Sequence, residues 1–197
     1  MNCVVLFVIV VAIVTVLDLY ENIPKFYARK LAHMFCGMII LLFDMSIHEE
    51  KISTYLCADS CVNQNSYCVY FIYIIAVTSV LRFGAYADKG IIIYNIIVSL
   101  FFFFKLRLYV LTPIFFADPM AAIVGRNFPT YSIYKKKTLQ GTLTCFFVSL
   151  ISLYYVGNYL HILILSLSLC LMELFGGTFD NFLMCFPLFI YMMFFNV

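Results

Sequence analysis

Long apolar stretches alternate with short polar segments along the whole chain. The apolar stretches carry almost no charge, and several approach the roughly 20 residues that a helix needs to cross a bilayer. The pattern predicts about eight transmembrane helices joined by short loops. Their expected ranges are 3–17, 31–47, 67–81, 91–104, 108–124, 141–156, 159–175 and 182–195.

Composition supports this interpretation. The chain is 65% hydrophobic and only 11% charged, whereas about 25% of residues are charged in average proteins. A soluble domain of this composition lacks the polar residues to cover its surface. We therefore predict an all-α fold, a polytopic membrane helical bundle that forms a single integral domain over 1–197. The net charge of +2 does not indicate a nucleic-acid partner, and membrane lipids are the expected surroundings.

Basic residues in the short loops predict the orientation of the bundle, because such residues are enriched on the cytosolic side. One side holds Lys25, Arg29, Lys30, Arg82, Lys89, Arg126, Lys135, Lys136 and Lys137. The other side holds Lys51, Lys105 and Arg107. The first side is expected to face the cytosol, with both termini lumenal.

The cysteines indicate no metal centre, because no C-x-x-C or histidine pair accompanies them. Cys57, Cys61 and Cys68 lie in or beside the long polar loop 48–66. If that loop faces an oxidising lumen, the environment would allow a disulfide bond between two of these cysteines.

Asp118 is the first candidate for chemistry, since an acid inside an apolar run is costly and is commonly functional. Ala122 and Gly125 follow it at spacings of four and three, which puts a small-residue stripe on its helix face. The alternative is a buried aspartate that pairs with a lysine for packing alone.

A second cluster combines Lys135, Lys136 and Lys137 with Thr138 and Gly141 at the start of a predicted helix. A threonine there caps the helix, and helix N-terminal amides attract phosphate. No complete phosphate-loop motif is present. The alternative for the lysines is a topological signal or contact with lipid headgroups.

Arg29, Lys30 and His33 form a third cluster, with Arg29 and His33 on one helix face. Guanidinium and imidazole groups together bind phosphate oxygens. The alternative is a set of topology-marking cations beside an interfacial histidine.

Glu173, Asp180 and Asn181 border a Gly-Gly break and form a fourth cluster. Their oxygens suit magnesium, although Asp180 or Asn181 as a helix cap is the simpler alternative. Taken together, the four clusters predict phosphoryl or nucleotidyl transfer at the cytosolic membrane interface.

In this order the clusters resemble the polyprenol kinase family, over a catalytic core of about 29–187. The motifs are R-K-x-x-H, D-P-x-A-x-x-x-G-R, K-T-x-x-G-T and an acid followed by D-N. The matching residues are Arg29, Lys30, His33, Asp118, Pro119, Ala121, Gly125, Arg126, Lys137, Thr138, Gly141, Thr142, Glu173, Asp180 and Asn181. Two departures are Ala117, where the family usually has glycine, and a segment before Pro187 that is two residues longer than usual.

The resemblance implies CTP as phosphoryl donor, a divalent cation (Mg2+) and a lipid alcohol as acceptor, in the endoplasmic reticulum membrane. The run 136–144 is most similar to the dolichol kinase members, which implies conversion of dolichol to dolichyl phosphate. Diacylglycerol or phytol is the alternative acceptor. A small transporter or scaffold with an interior charge pair is the alternative of another class.

The four clusters, taken with this resemblance, give a hypothesis for the roles of individual residues. Catalytic roles fall on Asp118, Lys137, Glu173 and His33. The nucleotide is expected at Arg29, Lys30, Gly125, Arg126, Lys136, Thr138 and Gly141. The metal is expected at Asp118, Asp180 and Asn181.

Overall fold

The structure, a computed structural model, describes residues 3–53, 89–104, 106–128 and 131–195. These residues are mostly helical, which confirms the predicted all-α class in its coarse form. The chain divides into two compact units, Met1–Tyr109 and Val110–Val197. The single integral domain over 1–197 stays a prediction.

The first unit contains three described helices: α1 (Cys3–Leu19), α2 (Lys25–Ser53) and α3 (Lys89–Phe103). Helices α1 and α2 pack together through residues that recur at spacings of three and four, so that each helix buries one face. The buried residues are Val10, Val14, Ala28, Ala32, Cys36 and Ile39.

Helix α2 begins earlier than the predicted range 31–47. Pro24 directly precedes the helix, and its carbonyl accepts hydrogen bonds from the backbone N–H groups of Tyr27 at 2.9 Å and Ala28 at 3.2 Å. A proline suits a helix start because the first N–H groups have no partner within the helix. Residues 25–30 are therefore helical, where a loop was predicted.

The described part of the second unit contains four α-helices, each joined to the next by a short connection. They are α4 (Thr112–Asn127), α5 (Leu139–Ser152), α6 (Tyr159–Gly176) and α7 (Asp180–Phe195). Short 3-10 turns at Leu108–Leu111 and Gly177–Phe179 precede α4 and α7. Consecutive helices run antiparallel, and α4 also contacts α7, which closes the four helices into a bundle.

A two-stranded antiparallel sheet, β1 (Ser132–Tyr134) and β2 (Lys137–Thr138), connects α4 to α5. We refer to residues 131–138 as the β-hairpin. The Oγ of Ser132 donates a hydrogen bond to the carbonyl of Lys135 at 2.8 Å across the turn. The all-α prediction missed this element and treated 125–140 as a loop.

Within the described residues, two helical stretches are long and apolar enough to cross a membrane: Leu108–Asn127, with 20 residues, and Tyr159–Gly176, with 18. The other apolar helices found there are shorter, at 10–17 residues. The predicted span 67–81 and the cysteines Cys57, Cys61 and Cys68 lie outside the described residues.

Candidate functional site

Four helix ends and the β-hairpin meet at one end of the second unit. Helix α4 ends and α5 begins there, and because the helices run antiparallel, α6 ends and α7 begins there as well. This topology brings Lys137 to Glu173 and Asp180, which are 36 and 43 residues further along the chain.

The ammonium group of Lys137 is the centre of this cluster. Its Nζ donates a hydrogen bond to Oε1 of Glu173 and lies 3.5 Å from Oδ2 of Asp180. The side chain of Lys137 is 27% exposed and that of Glu173 only 3%. Hydrogen bonds between charged groups are about twice as strong as neutral ones, so this pair firmly joins the β-hairpin to α6.

The three consecutive lysines, predicted as one cluster, have different surroundings. Lys135 and Lys136 form the turn of the β-hairpin and are exposed, whereas Lys137 on β2 is half-buried. The ring of Tyr134 packs edge-on against Phe175 at the end of α6, with centroids 5.2 Å apart. This contact fixes the β-hairpin beside Glu173 and turns Lys137 toward the bundle.

The charges around Lys137 determine its protonation. Burial lowers the pKa of Lys137, but the charge and hydrogen bond of Glu173, followed by the charges of Asp180 and Asp118, outweigh that effect. The pKa therefore lies above its usual 10.5, and the ammonium form persists at neutral pH. Asp118 on α4 is only 2% exposed, so acids from three helices act on one lysine.

The second carboxylate oxygen of Glu173 differs from the first. Among the described residues, Oε2 is buried and has no hydrogen-bond partner. Leaving a buried polar group unsatisfied costs about 1–3 kcal/mol, and such groups in native structures call for an explanation. Glu173 lies at the end of the bundle where the other charged groups gather, and a hydrogen-bond donor of a ligand bound there would satisfy this oxygen.

Asp180 and Asn181 were predicted as metal ligands together with Asp118. Oδ1 of Asp180 accepts a hydrogen bond from the backbone N–H of Asn181 at 2.9 Å, and Oδ2 faces Lys137. Nowhere in the described ranges do three or more His, Cys, Asp or Glu residues form a group that could hold a metal ion. A divalent cation here would need oxygens from a bound phosphate as well as from the protein.

Gly125, Thr138 and Gly141 form the crossing of α4 and α5. A Cβ at Gly125 would lie 2.8 Å from Thr138 Oγ1, and one at Gly141 would lie 2.9 Å from the carbonyl oxygen of Ala121. Thr138 Oγ1 accepts a hydrogen bond from the N–H of Gly141 at 3.3 Å and donates one to the carbonyl of Gly125 at 3.4 Å. These residues, predicted to bind nucleotide, thus have a structural role, and one amide of the first turn of α5 is already capped.

The remaining cations predicted for nucleotide binding lie in different places. Arg126 at the end of α4 and Lys136 in the hairpin turn are exposed at the same end of the bundle as Lys137. Arg29, Lys30 and His33 lie on α2 in the first unit. Their participation in one pocket with Lys137 stays a prediction.

His33 has a well-defined neighbour within the first unit. Its ring centroid lies 4.0 Å from that of Tyr94 on α3, and Tyr94 is buried. Arg29 precedes His33 by four residues on the same helix, which agrees with the predicted shared face.

No protein-family model, no curated protein and no solved structure matches this chain.

Proposed function

We propose that this chain is a multi-span membrane enzyme of the endoplasmic reticulum that transfers the γ-phosphoryl group of CTP to a lipid alcohol, with dolichol as the favoured acceptor. The observation that carries the proposal is the arrangement around Glu173. One of its carboxylate oxygens pairs with Lys137, while the other is buried and has no hydrogen-bond partner among the described residues. The charge of Asp118 acts on the same lysine.

The outer surfaces of α6 and α7 support the membrane location. Their exposed residues form apolar faces, while Ser166, Glu173 and Asn181 are buried inside. The exposed apolar residues are Leu160, Leu163, Ile164, Leu167, Leu171, Phe175, Phe182, Phe186, Phe189, Ile190, Met193 and Phe194. Soluble proteins rarely expose such large apolar surfaces, whereas lipid tails cover them.

In the proposed reaction, the alcohol hydroxyl donates its proton to Oε2 of Glu173. The alcohol oxygen forms a bond to the γ-phosphorus as the bond between that phosphorus and the bridging oxygen breaks. The products are the lipid phosphate and CDP, and the proton later leaves Glu173 for water. Such transfers depend on positioning and on neutralising phosphate charge. Lys137 provides positive charge beside Glu173, and Arg126 is exposed at the same end of the bundle as Lys137.

A divalent cation would be held through Asp118, a buried carboxylate, and through oxygens of the nucleotide phosphates, because magnesium usually takes one or two carboxylates together with substrate phosphates. Oε2 of Glu173 is then left to accept the proton of the alcohol. Asp180, which was predicted as a ligand, is less suitable because its oxygens face Lys137 and the Asn181 amide. Bound there, the cation would supply charge neutralisation to the nucleotide phosphates.

Transfer of radiolabelled γ-phosphate from CTP to dolichol tests the proposal, using purified protein in proteoliposomes with Mg2+. Dolichol, diacylglycerol and phytol in competition identify the acceptor. We expect D118N, K137M and E173Q to lose at least about 100-fold in turnover, in the range for removal of a catalytic group. Lys135→Met is the matched control, because it removes a neighbouring exposed lysine.

Two results would end the proposal: no transfer to any of the three alcohols, or full activity in D118N and K137M. The orientation is tested separately by protease accessibility of tags placed at the two termini and in the β-hairpin, in sealed microsomes. Protection of the termini and cleavage at the β-hairpin are expected if the site faces the cytosol.

A second candidate function is that of a small proton- or cation-coupled carrier. Ser166 lies about two helical turns from Glu173 on α6, is fully buried, and its Oγ has no hydrogen-bond partner among the described residues. Together these groups extend a polar line into the core of the bundle. A carrier would move protons or cations across proteoliposomes without nucleotide, and E173Q would stop that flux.

A further inference from the structure

Lys135 and Lys136, which we call the hairpin tip, lie outside the Lys137–Glu173 pair, and of the two only Lys136 was predicted to contact the nucleotide. Both side chains are exposed, whereas Lys137 turns toward Glu173. We propose that the hairpin tip is a docking surface for the headgroups of anionic phospholipids. This inference rests on the proposed membrane location and goes beyond the proposed enzymatic activity.

Backbone strain at the tip is the first supporting observation. Lys135 has a positive φ of 50°, in the left-handed region that is unfavourable for an ordinary L-residue and that glycine or asparagine tolerates best. A lysine in this position gives the turn no conformational benefit. It does place a cation at the outermost point of the β-hairpin, and outliers of this kind are grounds for a functional hypothesis.

The surroundings of the tip suit a membrane interface. Tyr131 is 69% exposed, and Ile133 and Tyr134 are also exposed. The Nζ of Lys135 lies 5.0 Å from the ring centroid of Tyr134. Tyrosines are enriched at the level of lipid headgroups, and each lysine or arginine near an anionic leaflet adds to the electrostatic attraction.

The position of the β-hairpin in the chain supports a lipid in preference to a soluble anion. The hairpin follows directly after Leu108–Asn127, a stretch long and apolar enough to span a membrane. Phe175, which holds Tyr134, is close to the end of the other such stretch, Tyr159–Gly176. Both helices thus end beside the β-hairpin, so a bilayer that they crossed would bring its phospholipid phosphates to the level of the hairpin tip.

The absence of tryptophan from the sequence allows a direct test. Ile133→Trp would provide a single tryptophan next to the tip. The full-length variant is reconstituted into bilayers that contain acyl-brominated phosphatidylserine or phosphatidylcholine with bromine at the same position. We expect the brominated phosphatidylserine to quench the fluorescence of this tryptophan at least two-fold more strongly. Far-UV circular dichroism verifies the fold of each variant.

Three further arms decide the outcome. Introducing K135Q and K136Q into the Ile133→Trp variant is expected to remove the preference for phosphatidylserine. Introducing K135R and K136R, which keep both charges, is expected to retain it. In 1 M salt, where the Debye length is about 3 Å, the preference is expected to disappear. The proposal would be overturned if both lipids quenched equally, if neither quenched, or if the preference for phosphatidylserine survived K135Q/K136Q. It would also be overturned if adding CTP removed the preference for phosphatidylserine.

Discussion

Lys137, on a strand of two residues, donates a hydrogen bond to Glu173, which lies 36 residues further along the chain near the end of a helix. The same ammonium lies 3.5 Å from Asp180 at the start of the next helix. One side chain therefore links the β-hairpin to both helices of the α6–α7 pair. The predictions below follow from this cluster and from the backbone contacts that hold the β-hairpin in place.

Breaking the ion pair on one side is expected to destabilise the protein strongly. K137M leaves Glu173 buried without its partner, and removing one partner of a buried pair costs about 3–5 kcal/mol. E173Q is expected to cost less, because Lys137 is partly exposed and Asp180 stays close to it. The double variant K137M/E173Q is expected to be more stable than the sum of the single effects, because neither charge is left alone. Thermal unfolding in detergent measures the stability of the wild type, the two single variants and the double variant.

Lys135→Met controls for the loss of a lysine charge as such, since Lys135 is exposed. It is expected to change the unfolding free energy by less than about 0.5 kcal/mol. Strict additivity of K137M and E173Q would mean that the two groups are not coupled.

The pH dependence of stability follows from the raised pKa of Lys137. The usual pKa is 10.5, and the folded value lies above it, so the folded state binds this proton more tightly than the unfolded state. The stabilisation is therefore complete below the usual pKa of 10.5 and is lost as the pH rises through the folded pKa. The difference in unfolding temperature between wild type and K137M should be constant from neutral pH to about pH 10 and should shrink above it. A difference that grows with rising pH would contradict this sign.

The close crossing of α4 and α5 predicts that substitution by alanine affects stability differently at Gly141 and at Gly157. Gly141→Ala would put a Cβ 2.9 Å from the carbonyl oxygen of Ala121, whereas Gly157→Ala would meet no atom within 4 Å. Overpacking typically costs about 1–3 kcal/mol, so Gly141→Ala is expected to lower the unfolding temperature. Gly157→Ala is expected to be neutral or to stabilise by up to about 1 kcal/mol. Equal effects of the two substitutions would exclude a tight crossing of α4 and α5.

Relief of backbone strain should stabilise the β-hairpin. Lys135→Gly removes the cost of φ 50° and is expected to raise the unfolding free energy by up to about 1 kcal/mol. Lys136→Gly is the matched control, because Lys136 is in the same turn and is not among the non-glycine residues with positive φ. If Lys136→Gly stabilises as much as Lys135→Gly, local strain is not the cause.

Periodicity predicted the helices of the second unit well, with ends that differ by a few residues, because apolar runs of helical length dominate that half of the chain. Charge spacing also predicted the convergence of Asp118, Lys137, Glu173 and Asp180 at one end, since short connections force alternate helix ends together. The roles assigned to these residues stay predictions.

Other features depend on contacts that sequence spacing does not encode. The β-hairpin was missed because its strands, of three and two residues, are too short to show an alternating pattern, although the β-favouring residues Ile133, Tyr134 and Thr138 flank the turn. Lys135 and Lys136 are exposed and Lys137 is half-buried because of the strand register, which the contact between Tyr134 and Phe175 helps to fix. The early start of α2 was missed because its polar first turns resemble a loop.

The positive charge opposite Glu173 belongs to the β-hairpin and not to a helix, and this has a thermodynamic consequence. If the β-hairpin moved away from α6, the buried carboxylate would lose the counter-ion that Lys137 supplies. A competing cation that replaced Lys137 at Glu173 would weaken the hold on the β-hairpin. Binding of such a competitor and β-hairpin release are therefore reciprocally linked, so a surface that holds the β-hairpin down also excludes other cations from the place that Lys137 occupies.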